Sequence, residues 1–210
     1  LIEKYIGCLP KGKTENWKET PAYATGKLEN KFTRKSETPK AIAFEFWHAP
    51  MAYTLENEIL TSAAAQVLSM VYLKSIREDA SAAYSVSAGG SLRRLGNKST
   101  AVIQAYCPMD PAKSDLALKL LAEGIKDNTV KMDADKVQKV KDFMLKDAEL
   151  SAKTNNYWMG VLDNYIWSGV DFHTNYKKTV EAITPAKLAA HLKQILAAGN
   201  HAEVVMTPAK

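Results

Sequence analysis

The chain has 210 residues, a mass of 23.2 kDa, a net charge of +5 and a pI near 9.0. A chain of this length buries roughly 70% of its unfolded surface, so it needs neither metal nor disulfides to fold. Hydrophobic residues at 46% and charged residues at 24% exclude general disorder, and ten Gly with eight Pro exclude a collagen-like or linker-dominated chain.

The basic balance invites a nucleic-acid partner, but its distribution argues against one. Residues 1–40 hold nine Lys/Arg against five Asp/Glu, whereas the other 170 hold 19 against 18. The excess lies in the least regular segment and reads as solvated surface, so no nucleic acid is expected. No run approaches the ~20 apolar residues of a membrane helix. The start, Leu1-Ile2-Glu3-Lys4-Tyr5, lacks Met and any signal-peptide pattern, as expected of a processed chain or a piece of a longer one. Cys8 and Cys107 are the only cysteines. Their spacing shows neither a metal motif nor a disulfide framework, which leaves the compartment open.

Residues 1–10 read as a helix end stopped at Gly7 and Pro10, and residues 11–26 as a linker. The spacing therefore predicts the end of a preceding unit plus a linker over 1–26, then one domain over 27–210. Residues 1–10 should carry apolar surface belonging to a neighbour. Leu28 to Lys35 and the aromatic run Ala41 to His48 are expected as strands, joined by a turn over Ser36-Glu37-Thr38-Pro39 and ended by Ala49-Pro50. Thr54 is the expected cap of a helix over Leu55–Glu78. Its apolar pairs, Ile59/Leu60, Ala63/Ala64, Val67/Leu68 and Val71/Tyr72, recur near period 3.6, and the Ala63-Ala64-Ala65 run would let it lie close to a sheet.

A hairpin is expected next. Ala83 to Leu92 would form one strand with Tyr84, Val86 and Ala88 on one face, and Thr100 to Cys107 the other, around Gly96-Asn97. Gly89-Gly90 inside the strand predicts a bulge or a close backbone approach. Four helices follow, begun by Asp110-Pro111, Asp133, Asn155 and Thr184-Pro185, and His201 to Met206 closes as a strand. The order predicts an α+β domain, a mostly antiparallel or mixed sheet with helices on one face.

Chemistry-bearing patterns are few. His48, His173, His191 and His201 have no His or Cys partner at ligand spacing, and there is no H-E-x-x-H, H-x-x-E-H or C-x-x-C. No metal or other cofactor is expected in this chain. Cys107 before Pro108 reads as a buried inert thiol. One stretch stands out, Ile76-Arg77-Glu78-Asp79-Ala80-Ser81-Ala82-Ala83-Tyr84-Ser85-Val86. An Arg closes a helix, a short loop follows, and a Tyr opens a strand. Guanidinium and phenol both donate hydrogen bonds, and two donors converging at a sheet edge can stabilise a developing oxyanion. On chemistry alone, Arg77 can equally be a helix-end charge and Tyr84 a core-edge aromatic.

The Arg77…Tyr84 segment resembles the R-x-x-x-x-x-x-Y segment of the pitrilysin/insulinase zinc metallopeptidases, relatives of mitochondrial processing peptidase. Tyr5-Ile6-Gly7-Cys8-Leu9-Pro10 resembles the family's helix end before an interdomain linker. Asn156-Tyr157-Trp158 and Ile183-Thr184-Pro185 are similar to later landmarks. The resemblance implies the carboxy-terminal, non-zinc domain. Two such α+β domains form a clam shell in the family, one carrying zinc on H-x-x-E-H and the other supplying an Arg and a Tyr to the substrate near the scissile bond. Arg77 and Tyr84 would have those roles. The chain departs from the complete enzyme in that Leu55–Glu78 holds no histidine, so no proteolysis is expected from it alone. The implied partners are a zinc-bearing domain or subunit and an unstructured peptide. Bacterial relatives suggest the cell envelope. A catalytically silent scaffold subunit of the same fold is the alternative, and an unrelated basic binding module a third reading.

Overall fold

The computed structural model describes residues 1–10, 12, 23–35, 39–96 and 98–209. Most of the expected linker (residues 11 and 13–22), residues 36–38 of the first expected turn and Asn97 of the hairpin turn lie outside the described residues. The aromatic strand β2 (Ala41–Pro50) is central in a five-stranded mixed sheet with β1 (Lys27–Arg34), β3 (Ser87–Leu95), β4 (Lys98–Met109) and β5 (Asn200–Pro208), in the order β1-β5-β2-β4-β3. Only the β1–β5 pair is parallel. The architecture is the expected α+β one, with β2 running on through Ala49-Pro50 where a break was expected.

Side-chain alternation divides the sheet into two faces. Ala41, Ala43, Glu45, Trp47 and Ala49 of β2 and Ala101, Ile103, Ala105, Cys107 and Met109 of β4 are buried under helices. The other face is open over much of its area, where Leu28, Phe32, Phe44 and Tyr106 remain exposed, while His48 and Val102 are buried at one end of it. Phe44 and Tyr106, register partners across β2 and β4, have ring centroids 4.8 Å apart.

Helix α1 spans Ile2–Tyr5, and α2 (Leu55–Tyr72) begins as expected, Thr54 accepting from the Asn57 amide at 3.2 Å. At Leu73 it widens into a π turn, Leu73–Asp79. By length and composition Leu55–Asp79 could cross a membrane. Here it is a core helix, with Ile59, Ala63, Ala64, Val67, Leu68, Tyr72 and Ile76 buried in protein. Counting only uninterrupted apolar runs misses such a helix, whose few polar residues are dispersed.

The remaining helices are α3 (Ser114–Asn128), α4 (Ala134–Ser151), α5 (Asn155–Ser168), α6 (Tyr176–Glu181) and α7 (Pro185–Ala197). Asp110, Asp133 and Thr184 cap as expected, each accepting backbone amides. The cap of α5 is Thr154, one residue before the expected Asn155. Leu121 and Ile125 of α3, Val137, Val140 and Met144 of α4, and Leu188, Leu192 and Ile195 of α7 complete the core.

The Gly89-Gly90 pair lies in an unbroken ladder opposite Gln104 and Ile103, so it forms no bulge, and the close backbone approach is found at Gly90 alone. A Cβ on Gly90 would sit 2.6 Å from the Thr61 carbonyl oxygen and 2.9 Å from Ala65 Cβ, so α2 touches β3 backbone to backbone. A Cβ on Gly89 would meet nothing closer than Gln104 Nε2 at 3.8 Å. Gly90→Val is therefore expected to cost about 2 kcal/mol by overpacking, while Gly89→Ala leaves stability unchanged or slightly higher. Urea midpoints of the two variants measure the contrast.

Candidate functional site

The expected Arg/Tyr pair is brought together by the end of α2 and the approach to β3. The π turn ends where the Ala80 amide reaches back to the Ser75 carbonyl at 3.1 Å and the Ala82 amide to Ile76 at 2.8 Å. Ser81 sits at φ 48°, in the left-handed region costly for a residue with a Cβ. Lys113 Nζ holds this turn from outside, donating to the Ala80 and Ser81 carbonyls at 3.2 and 3.0 Å, and the Asp110 amide donates to the Ala82 carbonyl at 3.0 Å. Arg77 leaves the π turn into solvent, and its Cζ lies 5.7 Å from the centre of the Tyr84 ring.

Tyr84 is not on β3, contrary to expectation. Ala83 bridges to Met109, whereas the β3–β4 ladder, Ser87 opposite Tyr106, would place Tyr84 there. One extra residue therefore lies on the β3 side, a bulge that breaks the alternation. Val86 is buried and Tyr84 is 88% exposed, so Tyr84 and Val86 do not share a face. That exposure removes the reading of Tyr84 as a core-edge aromatic. Exposed guanidinium and phenol thus stand together at the corner beside the end of β4 at Met109. Both can donate to carbonyl oxygens of an extended chain.

The histidines have other work. His48 Nε2 lies 3.0 Å from the Ala24 carbonyl, His173 Nδ1 2.7 Å from the Tyr157 hydroxyl, and His191 Nε2 2.9 Å from Thr61 Oγ1. His201 Nε2 lies 2.5 Å from buried Glu45 and stacks on Trp47 with centroids 5.1 Å apart. Burial raises the Glu45 carboxyl and His201 opposes the shift, while neighbouring Glu203 pairs with Lys31 at 2.9 Å. Sequence reasoning missed this pair, although a lone Glu between Phe44 and Phe46 on an inward position was a signal. Burial pushes the Cys107 thiol up to about 11, as suits an inert cysteine. Among the described residues, no three His, Cys, Asp or Glu side chains cluster to hold a metal. The start of α2, where the resemblance would place a catalytic domain's zinc motif, offers Glu56 and Glu58 without a histidine, so these residues do not fit a zinc ion.

The mixed five-stranded sheet with helices packed on one face defines an α+β domain. The chain belongs to the family described as the Peptidase M16 inactive domain, which matches residues 1–144, and it is a non-catalytic half of that pitrilysin/insulinase group. Among curated protein sequences none matches. Among solved structures, the chain is similar to the ferredoxin protease FusC, seen as its E83A mutant with Arabidopsis ferredoxin (TM-score 0.81, 18% identity). That match covers 100% of this chain and 23% of FusC. It resembles the periplasmic protease PqqL from Escherichia coli (TM-score 0.76, 19% identity, 99% of this chain and 23% of that one). A Peptidase M16 inactive domain from Pseudomonas fluorescens matches 97% of this chain over 49% of its own (TM-score 0.73, 15% identity). The chain thus spans a quarter to a half of these relatives, and at such identities the likeness shows the fold.

Proposed function

We propose that this domain binds an unstructured peptide and contributes transition-state contacts to peptide-bond hydrolysis at a zinc site on another domain or subunit. The observation that carries the reading is the convergence of exposed Arg77 and Tyr84 at one corner of the sheet. Lys113 and the Asp110 amide hold the turn between them, so the backbone that carries both donors is already fixed when substrate arrives. The Arg77 guanidinium holds a substrate carbonyl and so fixes the peptide's register. The Tyr84 phenol donates to the oxygen of the scissile amide as negative charge develops on it. The exposed apolar face of Phe32, Phe44 and Tyr106 supports the flanking peptide through contacts insensitive to its sequence.

The test mixes this chain with its zinc-bearing counterpart and follows cleavage of an unstructured peptide library, with and without a chelator. Cleavage should require both components and be lost with the chelator. Arg77→Ala and Tyr84→Phe should each lower kcat/KM at least tenfold, about 1.4 kcal/mol of transition-state stabilisation. Full activity in both variants would make the domain a scaffold.

A further inference from the structure

Helix α5 is turned inside out. Its inward line is Tyr157, Val161, Asn164 and Ser168, each half-buried, and three of these four are polar. Polar contacts fasten that line to the domain: Tyr53 Oη donates to Asn164 Oδ1 at 2.7 Å, Asn164 Nδ2 to the Val170 carbonyl at 3.0 Å, and Tyr157 Oη lies 2.7 Å from His173. At the helix end Arg94 Nη1 donates to the Trp167 carbonyl at 2.7 Å. No residue of α5 is buried. The apolar residues point outward instead, with Met159 68%, Leu162 58%, Tyr165 55%, Ile166 76% and Trp167 71% exposed, beside Trp158 at 41%.

Five of the six, from Trp158 to Ile166, follow the 3.6-residue repeat and make one face. Allowing roughly 200 Å² for each large side chain, these five leave on the order of 600 Å² of side-chain surface in water. The largest patch on an ordinary monomer is roughly 300–600 Å², and one partner's share of a stable interface is about 800 Å².

We propose that the outward face of α5 is the docking surface for a second α+β domain of the same family, carried on the same polypeptide or on a companion subunit. Three observations choose this occupant. The chain is matched end to end by single portions of relatives two to four times its length. It bears a second uncovered apolar stripe on and beside α1, Leu1, Ile2, Tyr5, Ile6 and Leu9, all exposed. A membrane surface is the poorer fit, because α5 contains no Lys or Arg and interfacial helices carry them on their polar face. The proposal rests on the reading above only in requiring a second family domain. Its surface lies elsewhere: α5 is tied to the Arg94 end of the sheet, whereas Arg77 and Tyr84 stand by Met109. Eleven residue steps of β4 separate those ends, roughly 35 Å.

The test is carbene footprinting of the intact native protein that contains this chain, read by mass spectrometry with cross-linking. Met159, Leu162 and Ile166 should label at least tenfold more slowly than in the denatured chain, and cross-links from α5 should reach another domain of the family. In Leu162→Glu/Ile166→Glu the protection should vanish, while circular dichroism and the effect of Tyr84→Phe on cleavage stay as in wild type. Labelling at the denatured rate in the wild-type protein would overturn the proposal. So would α5-to-α5 cross-links between two copies, or protection that appears only with phosphatidylglycerol vesicles. Protection of α5 alongside full activity of Tyr84→Phe would uphold the docking face and remove the catalytic reading, and the reverse pattern would do the opposite.

Discussion

Tyr72→Ala is expected to destabilise the domain by about 4 kcal/mol, the range for emptying a buried aromatic site. Tyr72 is fully buried at the end of α2, and its hydroxyl donates to the Leu121 carbonyl of α3 at 3.1 Å. Burial pushes its phenol far up, so it remains neutral and a donor at any working pH. The ring lies against the backbone of α3 at Gly124, where an added Cβ would come 2.6 Å from Tyr72 Cε1. Two further results follow from that fit. Tyr72→Phe removes only the hydrogen bond and should cost about 1 kcal/mol. Gly124→Ala should destabilise wild type by roughly 1–3 kcal/mol through overpacking, yet cost little in the Tyr72→Ala background, where the space is empty. A double-mutant cycle on urea midpoints reads this coupling. Additive losses would mean that α3 moves away from the ring instead of meeting it.

Acid should weaken the fold through His191. The ring is buried against α2, and Thr61 Oγ1 already donates to the Asn57 carbonyl at 2.6 Å. The hydroxyl oxygen is left as an acceptor, so His191 donates through Nε2. Burial lowers its pKa from 6.5 to about 4. The unfolded state binds the extra proton between those values and the folded state does not. The stability is therefore present in full above pH 6.5 and is lost as pH falls towards 4. Its size is roughly 3 kcal/mol at 1.36 kcal/mol per unit. Glu45 acts in the opposite sense: its raised carboxyl contributes stability below 4.5 that is lost as pH rises through its folded value. The readout is accordingly the difference between wild type and His191→Gln, which keeps a donor without the titration. Urea unfolding from pH 7.5 to 4 should show wild type losing its advantage across this window. Parallel profiles would place the acid sensitivity elsewhere.

Local chemistry alone determined much of this protein. Thr54, Asp110, Asp133 and Thr184 cap helices because each places a side-chain oxygen before a periodic apolar run, a relation contained in a few consecutive residues. The aromatic alternation of β2, the small-residue stripe of α2 and the Gly pair of β3 were legible for the same reason. The Arg77…Tyr84 spacing pointed to the site and the family through resemblance. Tertiary structure decided what depends on residues far apart in the chain. The face on which Tyr84 emerges is set by the register mismatch between Ala83–Met109 and Ser87–Tyr106, and no property of residues 83–87 encodes it. The use of the two Gly differs because α2 passes over Gly90 and not Gly89. The inward side of α5 is held by Tyr53 on Asn164, with Arg94 on the Trp167 carbonyl at the helix end, and the apolar side is left to water. An apolar period announces that a helix will be covered, and only the assembled fold shows that this domain does not supply the cover.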